Sequence, residues 1–365
     1  MLRFPSELIV RVRPTYENRR VVVTGGAGFI GSHLVDALVS LGAHVSVLDD
    51  LSNSSAAYVA ELLELEPDRV SFVHGSILDR DALTDAFATP RRSNTQADSD
   101  RGPVVFHMAA VGSVPLSIEQ PGRAWDVNAT GTLRVLEALR AAGGGRMVHS
   151  SSSSIYGDRG EDSSQPCEES MPPCPLSPYA ASKLSGEYLL STWARCYGIE
   201  SIALRYFNVF GPRQRADSAY AAVIPAFASR MLRGERPTIF GDGEQTRDFT
   251  FVANVVLANL MAGSASTLPD GAIANVGLGS ATSLNQLAGM MAEAAAKDSP
   301  GVIAEDLKPR HEPARQGEVR HSLASIERAR TIFGYDPFAT LSEGLAETIQ
   351  WHRAQLEAGA SSGGA

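Results

Sequence analysis

The chain has 365 residues, enough for two lobes around a large core. Hydrophobic residues make up 44% and charged residues 20%, and 41 acidic against 32 basic side chains leave a formal charge of −9, which argues against a nucleic-acid surface. No apolar run approaches the roughly 18 residues of a membrane span, and three cysteines without metal-site spacing point to free thiols in a reducing cytoplasm.

Met1 to Arg20 alternates charged and apolar residues and has no secretory core. Arg20 to Thr24 then reads as a buried strand. It runs into Gly25, Gly28 and Gly31 in a Gly-x-x-Gly-x-x-Gly turn, followed by a helix from about Ser32 to Leu41. Gly25 permits a tight turn, Gly28 lets backbone approach a pyrophosphate, and Gly31 lets helix pack on strand. The helix N-terminus then faces the phosphates. A second strand, His44 to Leu48, ends at Asp49, an acid placed to accept hydrogen bonds from an adenosine ribose. No arginine follows closely to offset a 2′-phosphate, so the pattern favours NAD over NADP.

Val70 to Val73 is a third strand. Residues 90 to 102 read as a polar surface insertion. Val104 to His107 is the next strand, with small residues, Ala109 and Ala110, after it. A helix is expected from Pro121 to Ala142. Met147 to Ser150 is a further strand, entering a run of serines that ends in Ile155-Tyr156-Gly157. Serine runs are usually linkers; this one sits at the carboxyl end of a sheet, where α/β folds bind ligands.

Ser177 and Pro178 suit the cap and first position of the next helix. Tyr179 and Lys183 then lie four residues apart on one helix face. A cation beside a phenol lowers its pKa from about 10 and makes a base for a sugar hydroxyl. The chain has only three lysines, so a lysine kept here is notable. Gly198 ends the helix, and Ser201 to Tyr206 is a strand. Beyond it the alternation breaks down, and Arg247, Asp248, Arg315, Gly317, Glu318 and Arg320 fall in what reads as a smaller lobe. Gly359 to Ala365 is a small-residue tail expected to be flexible. No internal repeat is visible. The expected class is α/β: a Rossmann-type doubly wound parallel sheet over 18–207, with a smaller C-terminal α/β substrate-binding lobe over 208–355, interleaved with it.

These motifs resemble the extended short-chain dehydrogenase/reductase family, and within it the nucleotide-sugar 4-epimerases. The resemblance spans about Arg20 to Trp351. It rests on Thr-Gly-Gly-Ala-Gly-Phe-Ile-Gly at 24 to 31, the serine turn through Tyr156-Gly157, Tyr179-x-x-x-Lys183, and Leu-Arg-Tyr-Phe-Asn-Val-Phe-Gly at 204 to 211. It looks closest to bacterial UDP-N-acetylglucosamine 4-epimerases through Gly112-Ser113-Val114-Pro115, Ala221-Ala222-Val223-Ile224-Pro225 and the stretch from Arg315 to Ala324.

The resemblance implies that Tyr179 is the base, that Lys183 orients the nicotinamide ribose and lowers the tyrosine pKa, and that Ser152 bonds the sugar 4-hydroxyl, with Ser151 and Ser153 left open as alternatives. It places NAD against Gly25, Gly28, Phe29, Ile30, Gly31, Asp49, Asn53, Ser76, Ile77, Ala109, Ala110, Asn128, Tyr179, Lys183 and Tyr206. Ser76 stands where the family usually has an aspartate touching adenine. The UDP-sugar is implied to meet Gly112, Ser113, Ser152, Ser153, Asn208, Ala222, Val223, Arg247, Arg315 and Ser322. Relatives restricted to the plain hexose carry a tyrosine at the position of Ser322, so an N-acetyl group should fit here.

The implied reaction takes the 4-hydroxyl proton to Tyr179 and the C4 hydride to NAD, and returns the hydride to the other face of a 4-keto sugar. It needs no metal. A dehydratase or decarboxylase on the same scaffold would carry acids in the serine turn, where this chain has Ser153 and Ser154. A dinucleotide-sensing regulator would not need Tyr179, Lys183 and a serine together. Leu133, Leu136, Leu189, Leu190 and Trp193 mark helix faces that in this family pair across a two-fold axis, so a homodimer is expected.

Overall fold

The computed structural model describes residues 2–88, 102–160, 165–215, 222–297, 303–314 and 319–362. Ala221, Arg315, Gly317, Glu318 and nearly all of the 90–102 stretch lie outside them.

The first half alternates strand and helix: α1 (Ser6–Tyr16), β1 (Arg20–Thr24), α2 (Phe29–Ser40), β2 (His44–Asp49), α3 (Ala57–Leu65), β3 (Val70–His74), α4 (Arg80–Phe87) and β4 (Val104–His107). Next come α5 (Val114–Glu119), α6 (Pro121–Trp125), a π-turn (Asp126–Thr130), α7 (Gly131–Ala141), β5 (Arg146–Ser152), a 3-10 turn (Ser153–Tyr156), α8 (Pro178–Tyr197) and β6 (Glu200–Tyr206). The expected 121–142 helix is therefore interrupted by the π-turn, where Asn128 turns inward. The helix after the glycines starts at Phe29, not Ser32, because Gly28 already serves as its cap. Helix α1 was not expected. Its Tyr16 is fully buried and donates to the Leu260 carbonyl at 2.7 Å, an anchor whose partner lies 244 residues away.

The second half adds β7 (Val209–Phe210), α9 (Val223–Met231), β8 (Thr238–Phe240), β9 (Thr246–Arg247), β10 (Thr250–Phe251), α10 (Val252–Ser264), β11 (Ala272–Val276) and β12 (Thr282–Ser283). They are followed by α11 (Leu284–Ala296), β13 (Arg310–Glu312), β14 (His321–Ser322), α12 (Glu327–Phe333) and α13 (Leu341–Ser362), which runs into the tail expected to be flexible.

The main sheet has the order β11-β6-β5-β4-β1-β2-β3, all parallel. Its last strand comes from beyond residue 207, so the sheet draws on both halves of the chain. Val21, Val22 and Val23 are fully buried, as a strand covered on both faces requires. Helices α1, α2 and α10 cover one face and α4, α7 and α8 the other. Helix α10 is buried along its length except at its last residue, as its apolar run predicts. The smaller lobe gathers three short sheets, β10-β7, β12-β9-β14 and β13-β8, and packs α9, α11 and α13 together. Among the described residues no helix is long and apolar enough to cross a membrane.

Candidate active site

The glycine turn is built as its spacing requires. Gly25 has a φ of 69°, donates to the Leu48 carbonyl at 2.7 Å, and leaves no room for a Cβ against the Ala109 backbone. A Cβ at Gly31 would collide with the Gly25 carbonyl. No side chain caps the first turn of α2, which holds Phe29 and Ile30, so its leading amides face the turn as an anion cradle. Asp49 is buried at the end of β2. Its carboxylate accepts from the amides of Ala27 at 3.0 Å and Leu51 at 2.9 Å and from Ser54 Oγ at 2.7 Å. It thus braces the cradle and the loop that carries Asn53, which is exposed. Ser76 Oγ accepts from the Leu78 amide at 3.2 Å, and Ile77 is buried against Gly131. This cradle, with an acid at the next strand end, fits a dinucleotide.

Helix α8 carries the proposed base. Ser177 Oγ accepts from the Ala180 amide at 3.1 Å, Pro178 takes the first position, and Gly198 ends the helix at a φ of 66°. The Tyr179 amide donates to Ser117 Oγ at 3.1 Å. Burial pushes the Tyr179 phenol up, and a hydrogen bond shared with Ser152 pulls it back in part. Ser152 ends β5, and its Oγ also accepts from Ser154 Oγ at 2.9 Å. The serine choice is thereby narrowed, because Ser151 Oγ is buried and donates to Glu187 at 2.6 Å. Glu187 forms a bidentate ion pair with Arg205, at 2.9 and 2.7 Å, with both side chains almost fully buried. Removing one partner of such a pair costs about 3–5 kcal/mol. Ser153 sits in the 3-10 turn beside Ser152.

Lys183 lies one turn after Tyr179 on α8. It is 2% exposed, and its ammonium donates to the Ser150 carbonyl. Burial pushes its pKa down to about 7. The neighbour that lowers the Tyr179 pKa is Ser152. Two fully buried histidines, His107 and His149, stack on each other at 5.2 Å, and burial, helped by Lys183, holds both well below their usual range. Asn128 is a strut: its side chain bonds Val111 N at 2.8 Å, Val111 O at 3.2 Å and Ser182 Oγ at 3.0 Å, tying the β4 loop to α8. The Tyr206 phenol is buried and donates to Asn259 at 3.0 Å.

A pocket of about 220 Å³ opens beyond β6, lined by Asn208, Ala222, Val223 and Arg247 together with Gln214 and Phe249. Four residues expected at the substrate thus lie together. Ser152 and Tyr206 are register partners at the ends of β5 and β6, and the pocket begins two residues further on, so serine turn and pocket are neighbours. Ser322 is the strand partner of Arg247. Gly112 is exposed, and Ser113 caps α5 by accepting from the Leu116 amide at 3.3 Å. Sequence reasoning missed Glu187 and Gln214. An acid four residues after Lys183, on the same helix face, was a legible sign of the first.

Known proteins share this fold. Residues 21–277 match the model of the NAD dependent epimerase/dehydratase family. A UDP-glucose 4-epimerase of Mycolicibacterium smegmatis is 38% identical over 337 residues, 92% of this chain and 98% of the relative. The structure of UDP-N-acetylglucosamine 4-epimerase from Methanobrevibacter ruminantium, in complex with UDP-N-acetylmuramic acid, superposes with a TM-score of 0.80 at 34% identity, covering 93% of this chain and 99% of the other. That of Thermotoga maritima UDP-glucose 4-epimerase with UDP-glucose gives 0.79 at 36%, covering 92% and 99%. With the glycine cradle, the seven-stranded parallel sheet and the tyrosine helix all in place, the chain belongs to the NAD-dependent epimerase/dehydratase family, and its cofactor is NAD.

Proposed function

We propose that the protein is a UDP-sugar 4-epimerase that interconverts UDP-N-acetylglucosamine and UDP-N-acetylgalactosamine. The observation that carries this reading is the serine turn itself, which ends β5 at Ser152, has no carboxylate between Ser150 and Tyr156, and sets Ser152 as the neighbour that pulls the Tyr179 phenol down. The similarity to UDP-sugar 4-epimerases supports the nucleotide class, and a small residue at Ser322, beside Arg247, supports room for an N-acetyl group.

NAD, when bound, supplies reversible hydride storage. The chain's own residues do the rest. The first turn of α2 holds phosphate, and Asn208, Ala222, Val223 and Arg247 hold the nucleotide of the substrate. Ser152 Oγ holds the sugar hydroxyl in reach of Tyr179 Oη, which exchanges a proton with it. Lys183, fixed to Ser150, places its amine beside the strand that ends in Ser152. The free thiols Cys167, Cys174 and Cys196 suit a reducing cytoplasm, the proposed compartment.

Incubating the protein with NAD and each UDP-sugar, and resolving products by chromatography, tests the reading. A 4-epimer of the N-acetylated sugar is expected; a 4-keto-6-deoxy or decarboxylated product would overturn it.

A further inference from the structure

The serine turn and the strand of Ser322 are joined by a buried polar path that passes through one side chain. Tyr156 closes the 3-10 turn, is 3% exposed, and donates from its phenol to Asn275 Oδ1 at 2.7 Å. Asn275 is fully buried near the end of β11. Its Nδ2 donates to the carbonyls of Cys167 at 2.8 Å and Ser325 at 3.2 Å, and its own amide to Glu169 Oε1 at 2.6 Å. Cys167 in turn takes up the strand end: its amide donates to the Leu323 carbonyl at 2.7 Å, and its carbonyl accepts from the Ser325 amide at 2.9 Å. Leu323 follows Ser322 directly, and Ser322 pairs with Arg247. At the other end, the Arg205 guanidinium lies 4.8 Å over the Tyr156 ring and continues through Glu187 to Ser151.

The Asn275 side-chain amide therefore has one acceptor and two donors, all bonded, each to a different segment. Few side chains can do this. A carboxylate could accept from Tyr156 but would face two carbonyl oxygens, and an apolar side chain would orphan all three partners. Such a node holds a distance better than it adds stability.

We propose that Asn275 and Tyr156 are positioning residues that set the spacing between the serine turn, where Ser152 meets Tyr179, and the Arg247–Ser322 strand pair, and so hold the sugar in place relative to its nucleotide. This rests on the UDP-sugar reading. Of the residues proposed to hold the nucleotide, only Arg247 is on the path, at its far end as the strand partner of Ser322; Asn208, Ala222 and Val223 are not. Its loss should therefore disturb the sugar more than the nucleotide.

The test is calorimetric binding of UDP and of UDP-N-acetylglucosamine to wild type, Tyr156→Phe and Asn275→Asp, with kcat/KM measured in parallel. In Tyr156→Phe, UDP affinity should stay within about twofold, while the advantage of the UDP-sugar over UDP shrinks and kcat/KM falls roughly tenfold, the scale of a small misplacement of reacting groups. Asn275→Asp should show the same pattern more strongly; where it does not fold, Tyr156→Phe decides alone. Variants that melt earlier yet handle both ligands as wild type does would overturn the inference and leave the function intact. A wild type that neither binds nor converts any UDP-sugar would instead overturn the function on which it rests.

Discussion

Lys183 Nζ donates to the Ser150 carbonyl at 2.8 Å, so the one cation of the proposed catalytic group is fixed to the strand that ends in Ser152. Burial lowers its pKa from 10.5 to about 7. Between those values the unfolded chain binds the proton and the folded one releases it, so the cofactor-free protein gains stability as pH rises from 7 toward 10.5. Urea unfolding of wild type and Lys183→Met checks this. The difference between them should move in favour of wild type with rising pH, by up to about 1.4 kcal/mol per pH unit. A difference that stays flat would mean that Lys183 titrates at its ordinary value.

Tyr179 and Ser152 are proposed to act as a pair. Tyr179→Phe removes the phenol that exchanges the proton and should fold, retain NAD and lose turnover by about 100-fold or more. Ser152→Ala keeps the phenol but removes the hydroxyl that pulls its pKa down. Its pH–rate profile should therefore rise at higher pH than that of wild type. Near-normal turnover in a folded Tyr179→Phe would remove Tyr179 from the mechanism.

What was legible in the sequence was local. The strand Arg20–Thr24, the glycine turn and the cap at Ser177 each depend on neighbours within a few residues, and all stand as expected. The Asn275 node has no such signature, because its partners lie 50, 106, 108 and 119 residues away along the chain. The bond from Lys183 to Ser150 was out of reach for a related reason. Helical spacing put it beside Tyr179, but the nearest acceptor for its ammonium is on a strand that spacing cannot see. Tyr206 was expected against NAD from its motif alone, which could not show that its phenol bonds Asn259 in the core.

We propose the homodimer with its contact on other side chains of the same helices. Leu136 and Leu190 are fully or almost fully buried within the protomer, and Leu133, Leu189 and Trp193 are partly covered. The exposed large apolar side chains of these helices are Trp125, Tyr188 and Tyr197. Aromatic residues of this kind are enriched at interfaces. We expect a homodimer through α6–α7 and α8, and Tyr188→Glu, which buries a charge in that contact, should shift it to monomer. Light scattering at micromolar concentration reads both; a monomeric wild type would remove the dimer.

Ser322 is the proposed gate for the sugar's 2-substituent. It is half-buried and in register with Arg247, so a larger side chain there would enter the space next to the pocket that Arg247 lines. Overfilling a packed site costs roughly 1–3 kcal/mol, and about 1.4 kcal/mol is one decade in rate. Ser322→Tyr should therefore cut kcat/KM for UDP-N-acetylglucosamine about tenfold or more while sparing UDP-glucose, which has only a hydroxyl at that carbon. Both substrate pairs must be measured on both proteins, because the ratio carries the argument. A fall in both alike would mean that the tyrosine damages the strand pair and not the gate. An unchanged ratio would place the 2-substituent elsewhere, and a wild type that prefers UDP-glucose would refute the N-acetyl assignment while leaving the 4-epimerase reading in place.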